Sequence, residues 1–169
     1  MQRISRTFFT FMLAALTTVI LAAPRQALAA DVAQIERDAI AALAKLYETT
    51  PAAKVLGEKA KAILVFPSIL KAGFIIGGQG GNGALFVDGK VVGFYNTAAA
   101  SYGLQAGAQE FAYAMFLMTD AAIDSVKKAD GWEVGVGPSL VLVDEGVAKS
   151  LTTTTAKDDV YAFIFGQKG

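Results

Sequence analysis

The sequence predicts an α+β fold: N-terminal helices and one mid-chain helix packed on a strongly twisted antiparallel β-sheet, curved enough to approach a barrel. Three observations carry this. Apolar residues recur at helical spacing between positions 31 and 49. From Gly73 onward the pattern changes to short apolar runs punctuated by glycine and by an Asp-Gly turn at 88–89. One short helical stretch after Thr119 then interrupts the strands.

Each element has its own warrant. In the first helix Val32, Ile35, Ala39, Ala42, Leu43 and Leu46 form the apolar stripe, with Glu36, Asp38, Lys45 and Glu48 elsewhere. Thr50 followed by Pro51 signals a restart, with Thr as N-cap and Pro at the first helical position, for a second helix over 51–61. The run AILVF at 62–66 reads as a short buried strand closed by Pro67. Asp88 and Gly89 make a two-residue hairpin turn that sets Val87 against Lys90, Phe86 against Val91 and Leu85 against Val92. Residues 101–109 alternate polar and apolar, and 111–118 reads as fully buried. Thr119 caps a helix over 120–128, whose Lys127 and Lys128 suit its C-terminus, where the helix dipole favours positive charge. Further strands are expected over 132–136, 140–143, 151–155 and 160–165.

Part of the 54% hydrophobic content belongs to the N-terminus and not to the fold. Arg3 and Arg6 precede an apolar run over 7–23, and Ala27-Leu28-Ala29 is a small-residue cleavage site. These are the three parts of a secretory signal peptide, residues 1–29, leaving a single domain of residues 30–169 in the periplasm. Of 15 basic and 15 acidic residues, Arg3, Arg6 and Arg25 leave with the signal, so the remainder has 12 against 15, a net charge of −3. A global basic field for nucleic acid is absent. With no cysteine there is neither a disulfide nor a lipid-modified N-terminal Cys.

The stretch GGQGGNGALFVDGK contains a complete G-x-G-x-x-G at Gly78, Gly80 and Gly83. A dinucleotide site needs a helix after that motif to receive the pyrophosphate, and here a hairpin strand follows. These glycines are expected to serve turns, bulges or close backbone approach in a curved sheet. With no His and no Cys, the usual nucleophile–base pairs and zinc ligands are missing. Carboxylate pairs remain at Asp158-Asp159 and Asp144-Glu145, with hydroxyls at Ser101 and 152–155; the adjacent acids read as solvated turn residues. The expectation is a non-enzymatic protein with no cofactor and no metal.

Taken in order, Phe66-Pro67, KAGF at 71–74, the glycine run at 77–83, Asp88-Gly89, DGWEVG at 130–135 and TTAK at 154–157 form a specific series. It resembles the SYLF domain family, shared by bacterial exported proteins, yeast actin-patch proteins and some plant FYVE-containing proteins, over about residues 35–169. The resemblance implies a lipid- or membrane-binding domain; eukaryotic members bind phosphoinositides, and some bind actin. It also implies a further strand beyond Gly169, whose absence would leave 160–165 as an open edge. Those eukaryotic members contact membranes largely through a basic N-terminal helix. Here Arg37 and Lys45 stand against Asp31, Glu36, Asp38 and Glu48, so that helix is net acidic.

The local charge points instead to residues 54–71. Lys54, Lys59, Lys61 and Lys71 lie there against one acid, Glu58. Ile69, Leu70 and Phe74 follow the proline turn as candidate exposed apolar contacts, whereas Phe66 reads as core. Lysines beside apolar groups suit an anionic phospholipid surface, at about 1 kcal/mol per lysine. The alternative is an envelope assembly protein that self-associates through glycine-rich strands into a homo-oligomer.

Overall fold

The computed structural model describes residues 24–128, 138–144, 147–148, 151 and 156–169. The side chains of 24–30, 74–76 and 99–106 lie outside that description, as do the strands expected at 132–136 and 152–155. The described elements are helix α1 (Pro24–Thr49), helix α2 (Pro51–Gly57), strand β1 (Ala62–Val87), strand β2 (Lys90–Leu117), helix α3 (Asp120–Lys127), strand β3 (Leu140–Leu142) and strand β4 (Val160–Lys168). The compact unit is residues 35–169, and the remainder of α1 belongs to a separate unit, residues 1–34.

The α+β class is as predicted. The strand order is β1-β2-β4-β3. β1 and β2 pair antiparallel, as do β2 and β4, but β3 lies parallel to β4 through Leu140↔Val160, Val141↔Tyr161 and Leu142↔Ala162. The sheet is therefore mixed, not wholly antiparallel, and it is not closed into a barrel. The parallel strand also covers Val160 to Ala162, so among the described residues only the later part of β4 lacks a neighbour on the edge expected to be open over 160–165.

Pro67 does not end a strand. β1 runs through it for 26 residues and absorbs it in a bulge between Phe66 and Ile69. At about 3.3 Å per residue a straight strand of that length would span about 85 Å, far more than a domain of this size allows. The strand must bend, and two further irregularities, between Gly73 and Ile75 and between Leu85 and Phe86, help it do so. The doubling-back brings the late half of β1 onto its early half. A β-carbon on Gly83 would stand 2.6 Å from both the Val65 carbonyl oxygen and Phe66 Cδ1, and one on Gly81 would collide with the Ser68 carbonyl. Of the three motif glycines, Gly83 serves this close approach, with Gly81 beside it.

The hairpin turn forms as read: Asp88 and Gly89 take φ of 49° and 72°, and Val87 meets Lys90. Beyond it the bulge places Leu85 opposite Gly93 and not Val92, which is displaced to the surface at 55% exposure. α1 begins at Pro24 and not at 31. α2 stops at Gly57, short of Lys61, because Lys59 and Ala60 both donate to the Leu56 carbonyl in a tightened final turn. Thr50 occupies the N-cap position but makes no side-chain cap bond. Thr119 does cap α3: its Oγ1 accepts from the Ala122 amide at 3.3 Å.

The two faces of the sheet carry two cores. On the first, Val65, Ala84, Phe86, Ala114, Phe116, Tyr161 and Phe163 pack with Ala39 and Leu46 of α1 and Ala53 and Leu56 of α2. Phe116 anchors it, edge-on to Phe163 at 5.4 Å. On the second, Ala62, Leu64, Phe66, Ile69, Leu85, Met115 and Leu117 pack with Ala122 and Val126 of α3.

Gly83→Ala is expected to lower stability by about 1–3 kcal/mol, because the methyl group meets backbone as well as a ring. Thr119→Ala is expected to lose about 1 kcal/mol from the cap alone. Chemical denaturation midpoints of the two variants against the parent chain check both values.

Candidate functional site

Among the described residues the second face is only partly covered. α3 has eight residues, about 12 Å of helix, and roofs one end of the sheet. Beyond it lies an open groove of about 1240 Å³. Its floor comes from large residues that alternation places on one face: Leu64, Phe66 and Ile69 of β1, with Phe111, Tyr113 and Met115 of β2. The intervening positions on β2, Ala112 and Ala114, point to the other core and are small. The doubled-back hairpin supplies a wall, Gln79 and Phe94 to Ala98, and β4 supplies Ile164, Gln167 and Lys168.

The mouth carries apolar side chains left in water. Phe94 is 39% exposed, Ile164 40% and Leu140 48%. The charged lining residues are Lys71, Lys127, Lys168 and Glu110. Glu110 accepts from Ser68 Oγ at 2.8 Å and lies 3.9 Å from the Lys168 ammonium. Among the described residues Lys71 and Lys127 form no ion pair. Burial pushes the Tyr113 phenol above its ordinary value, as expected of a dry floor.

The residues singled out from sequence separate in space. Ile69 and Lys71 line the groove. Ile69 is buried, not exposed, because the bulge at Pro67 and Ser68 turns it into the second core. Leu70, between them on the strand, points the other way and is 55% exposed. Lys54 and Lys59 are exposed on or just after α2, the helix that packs on the opposite face of the sheet. Lys61 is paired with Asp120 at 2.6 Å, an exposed contact of small energetic weight. Phe74 lies in β1, with its side chain outside the described residues. Sequence reading missed Lys127 and Lys168, which join Lys71 only through the fold. The large–small alternation over 111–115, read in the sequence only as a buried run, is the signal from which the floor could have been found.

The G-x-G-x-x-G motif lies wholly within β1, and strand follows it. The acid pairs are engaged rather than simply solvated. Asp159 Oδ1 accepts from Thr119 Oγ1 at 2.9 Å, and Oδ2 accepts from the Ser139 amide and hydroxyl at 2.9 and 3.0 Å. The Asp159 amide in turn donates to Ser139 Oγ at 2.9 Å. This carboxylate ties the start of α3 to the entry of β3 and β4. Asp158 accepts from the Tyr161 hydroxyl at 3.2 Å, and Asp144 accepts from the Val147 amide at 2.8 Å. The side chain of Ser101 and residues 145 and 152–155 lie outside the described residues. Among the described residues no cluster of His, Cys, Asp or Glu is placed to hold a metal ion, and no helix is long and apolar enough to cross a membrane.

No protein-family model matches the chain, and no curated protein matches it.

The backbone amide of Ser139, then the Thr119 and Ser139 hydroxyls, hold the Asp159 carboxyl below its ordinary value of 3.8. Its folded value is depressed, so the stabilisation is complete above the unfolded value and is lost as pH falls through the folded one. Asp159→Asn is expected to be less stable than the parent at neutral pH, with the gap narrowing below about pH 4. Thermal melts from neutral pH to about pH 2.5 read this directly; a constant gap would show that the carboxylate charge is not what holds the junction.

Proposed function

We propose that this protein is a non-enzymatic lipid-binding module of the bacterial cell envelope, exported by its N-terminal signal and contacting anionic phospholipid. The groove carries the reading. An apolar, aromatic floor favours hydrocarbon, and exposed Phe94, Ile164 and Leu140 at its mouth would leave water on contact with lipid. Among the described lining residues three lysines against one glutamate favour a negative head group. The resemblance to SYLF domains supports the same reading. The contact surface then moves from the 54–71 stretch as a whole to Lys71 and the residues the fold gathers around it.

Self-association through the sheet is the second reading. It rests on the later part of β4, which among the described residues has no strand on its side away from β2. Sedimentation velocity across a concentration series separates the two: a strict monomer removes this alternative, and a lipid-indifferent oligomer favours it.

The direct test is co-sedimentation of the exported, purified chain with vesicles. Vesicles of phosphatidylglycerol and phosphatidylethanolamine are expected to retain it at low salt, and less well as salt rises. Neutral phosphatidylcholine vesicles are expected to retain it weakly. Failure of every vesicle to retain the chain at either salt would overturn the lipid reading.

A further inference from the structure

We infer that the groove takes one anionic acyl lipid per protein, its chain along the apolar floor and its head group between Lys71 and Lys127. This inference rests on the lipid-binding reading and deepens it: the lipid is held as a single molecule, not only met as a bilayer surface.

Four observations lead there. The groove, at about 1240 Å³, exceeds the range of about 300–1,000 Å³ usual for compact small-molecule sites. It therefore has room for a chain. Its floor is a continuous row of large side chains, Leu64 and Phe66 beside Met115 and Tyr113, and burial pushes the Tyr113 phenol above its ordinary value. That floor suits hydrocarbon, beneath polar walls that include Gln79, Asn96 and Thr97. Its free charge is positive. Glu110 is taken up by Ser68 and Lys168, while Lys71 and Lys127 form no ion pair among the described residues. Finally, polar lining groups that an extended peptide would need are partly occupied. Asn96 Nδ2 donates to Asn82 Oδ1 at 2.9 Å and to the Gly81 carbonyl at 3.3 Å. An acyl chain needs no such partners; its anionic end needs a positive one, which the lysines of the lining can supply.

Lys71 and Lys127 come from different elements. Lys71 stands in β1 just before the bend, and Lys127 ends α3. A head group between them would bridge strand and helix. The chain would cover the apolar mouth, which otherwise stays wet at Phe94 and Ile164.

The experiment uses the exported chain with a tryptophan reporter at the mouth, Phe94→Trp, and the native tryptophan removed by Trp132→Phe. It is titrated with lysophosphatidylglycerol carrying a brominated chain, below its micelle concentration. Saturable quenching at one lipid per protein is expected, with lysophosphatidylcholine of the same chain binding more weakly. Lys71→Glu and Lys127→Glu together should raise the apparent Kd about tenfold or more. Ile164→Asn, at an exposed position, should weaken both lipids alike. In parallel, native mass spectrometry of the unmodified chain after incubation with phosphatidylglycerol–phosphatidylethanolamine vesicles should show one added lipid mass. Vesicle retention without quenching and without an adduct would overturn the single-lipid site while leaving the membrane reading standing. No retention, no quenching and no adduct would overturn both. Quenching indifferent to head group and to the two lysine reversals would overturn the assignment of Lys71 and Lys127.

Discussion

The close passage of β1 over itself sets the terms for the rest of the domain. A paired hairpin of 26 and 28 residues has too much length to lie flat in a unit of about 135 residues. It fits because backbone can lie against backbone where Gly81 and Gly83 meet the stretch from Val65 to Ile69. Any side chain at those two positions separates the halves of the strand. Leu85 would then lose its place beside Leu64 and Phe66 in one core, and Ala84 and Phe86 theirs beside Val65 in the other. Three consecutive buried residues, 84–86, are possible only because both faces of the sheet are covered at that point.

The groove follows from an imbalance between those faces. The first is covered by α1 and α2, which supply Ala39, Leu46, Ala53 and Leu56 to the core. Among the described residues the second has one helix of eight residues and a doubled-back strand. Large side chains on β2 continue past the end of that short roof, so hydrocarbon surface is left open. The polar junction at Asp159 holds the start of the roof in place. Lys127 sits at its other end, where a basic residue also suits the helix dipole.

The legible parts of this architecture were those governed by local chemistry. Asp88 and Gly89 dictated the hairpin, Thr119 and Asp120 the start of α3, and the 3.6-residue period the apolar stripe of α1 from Ile35 to Leu46, though not Val32, which is exposed. What escaped was set by partners distant in sequence. Pro67 reads locally as a strand end, yet the pairing of β1 with β2 resumes at Ile69 opposite Phe111 and carries the strand through. The parallel β3 depends on a neighbour twenty positions away. The lysine-rich segment 54–71 looked like one surface because it is one stretch of chain. Folded, it divides: Lys54 and Lys59 go with the helical side, Lys61 to an ion pair with Asp120, and Lys71 to the groove. No local pattern could join Lys71 to Lys127 and Lys168.

The long hairpin also bears on the order in which the chain folds. Its cross-strand partners run from three positions apart at Val87↔Lys90 to fifty-five apart at Ala62↔Leu117. Pairing that starts at the turn and advances outward never has to close the full fifty-five-residue loop in one step, because each new pair is brought near by the one before it. The Asp-Gly turn is thus expected to be a kinetic origin as well as a geometric one. Weakening it should slow folding more than it speeds unfolding, while weakening the late-closing contacts of β4 should do the reverse.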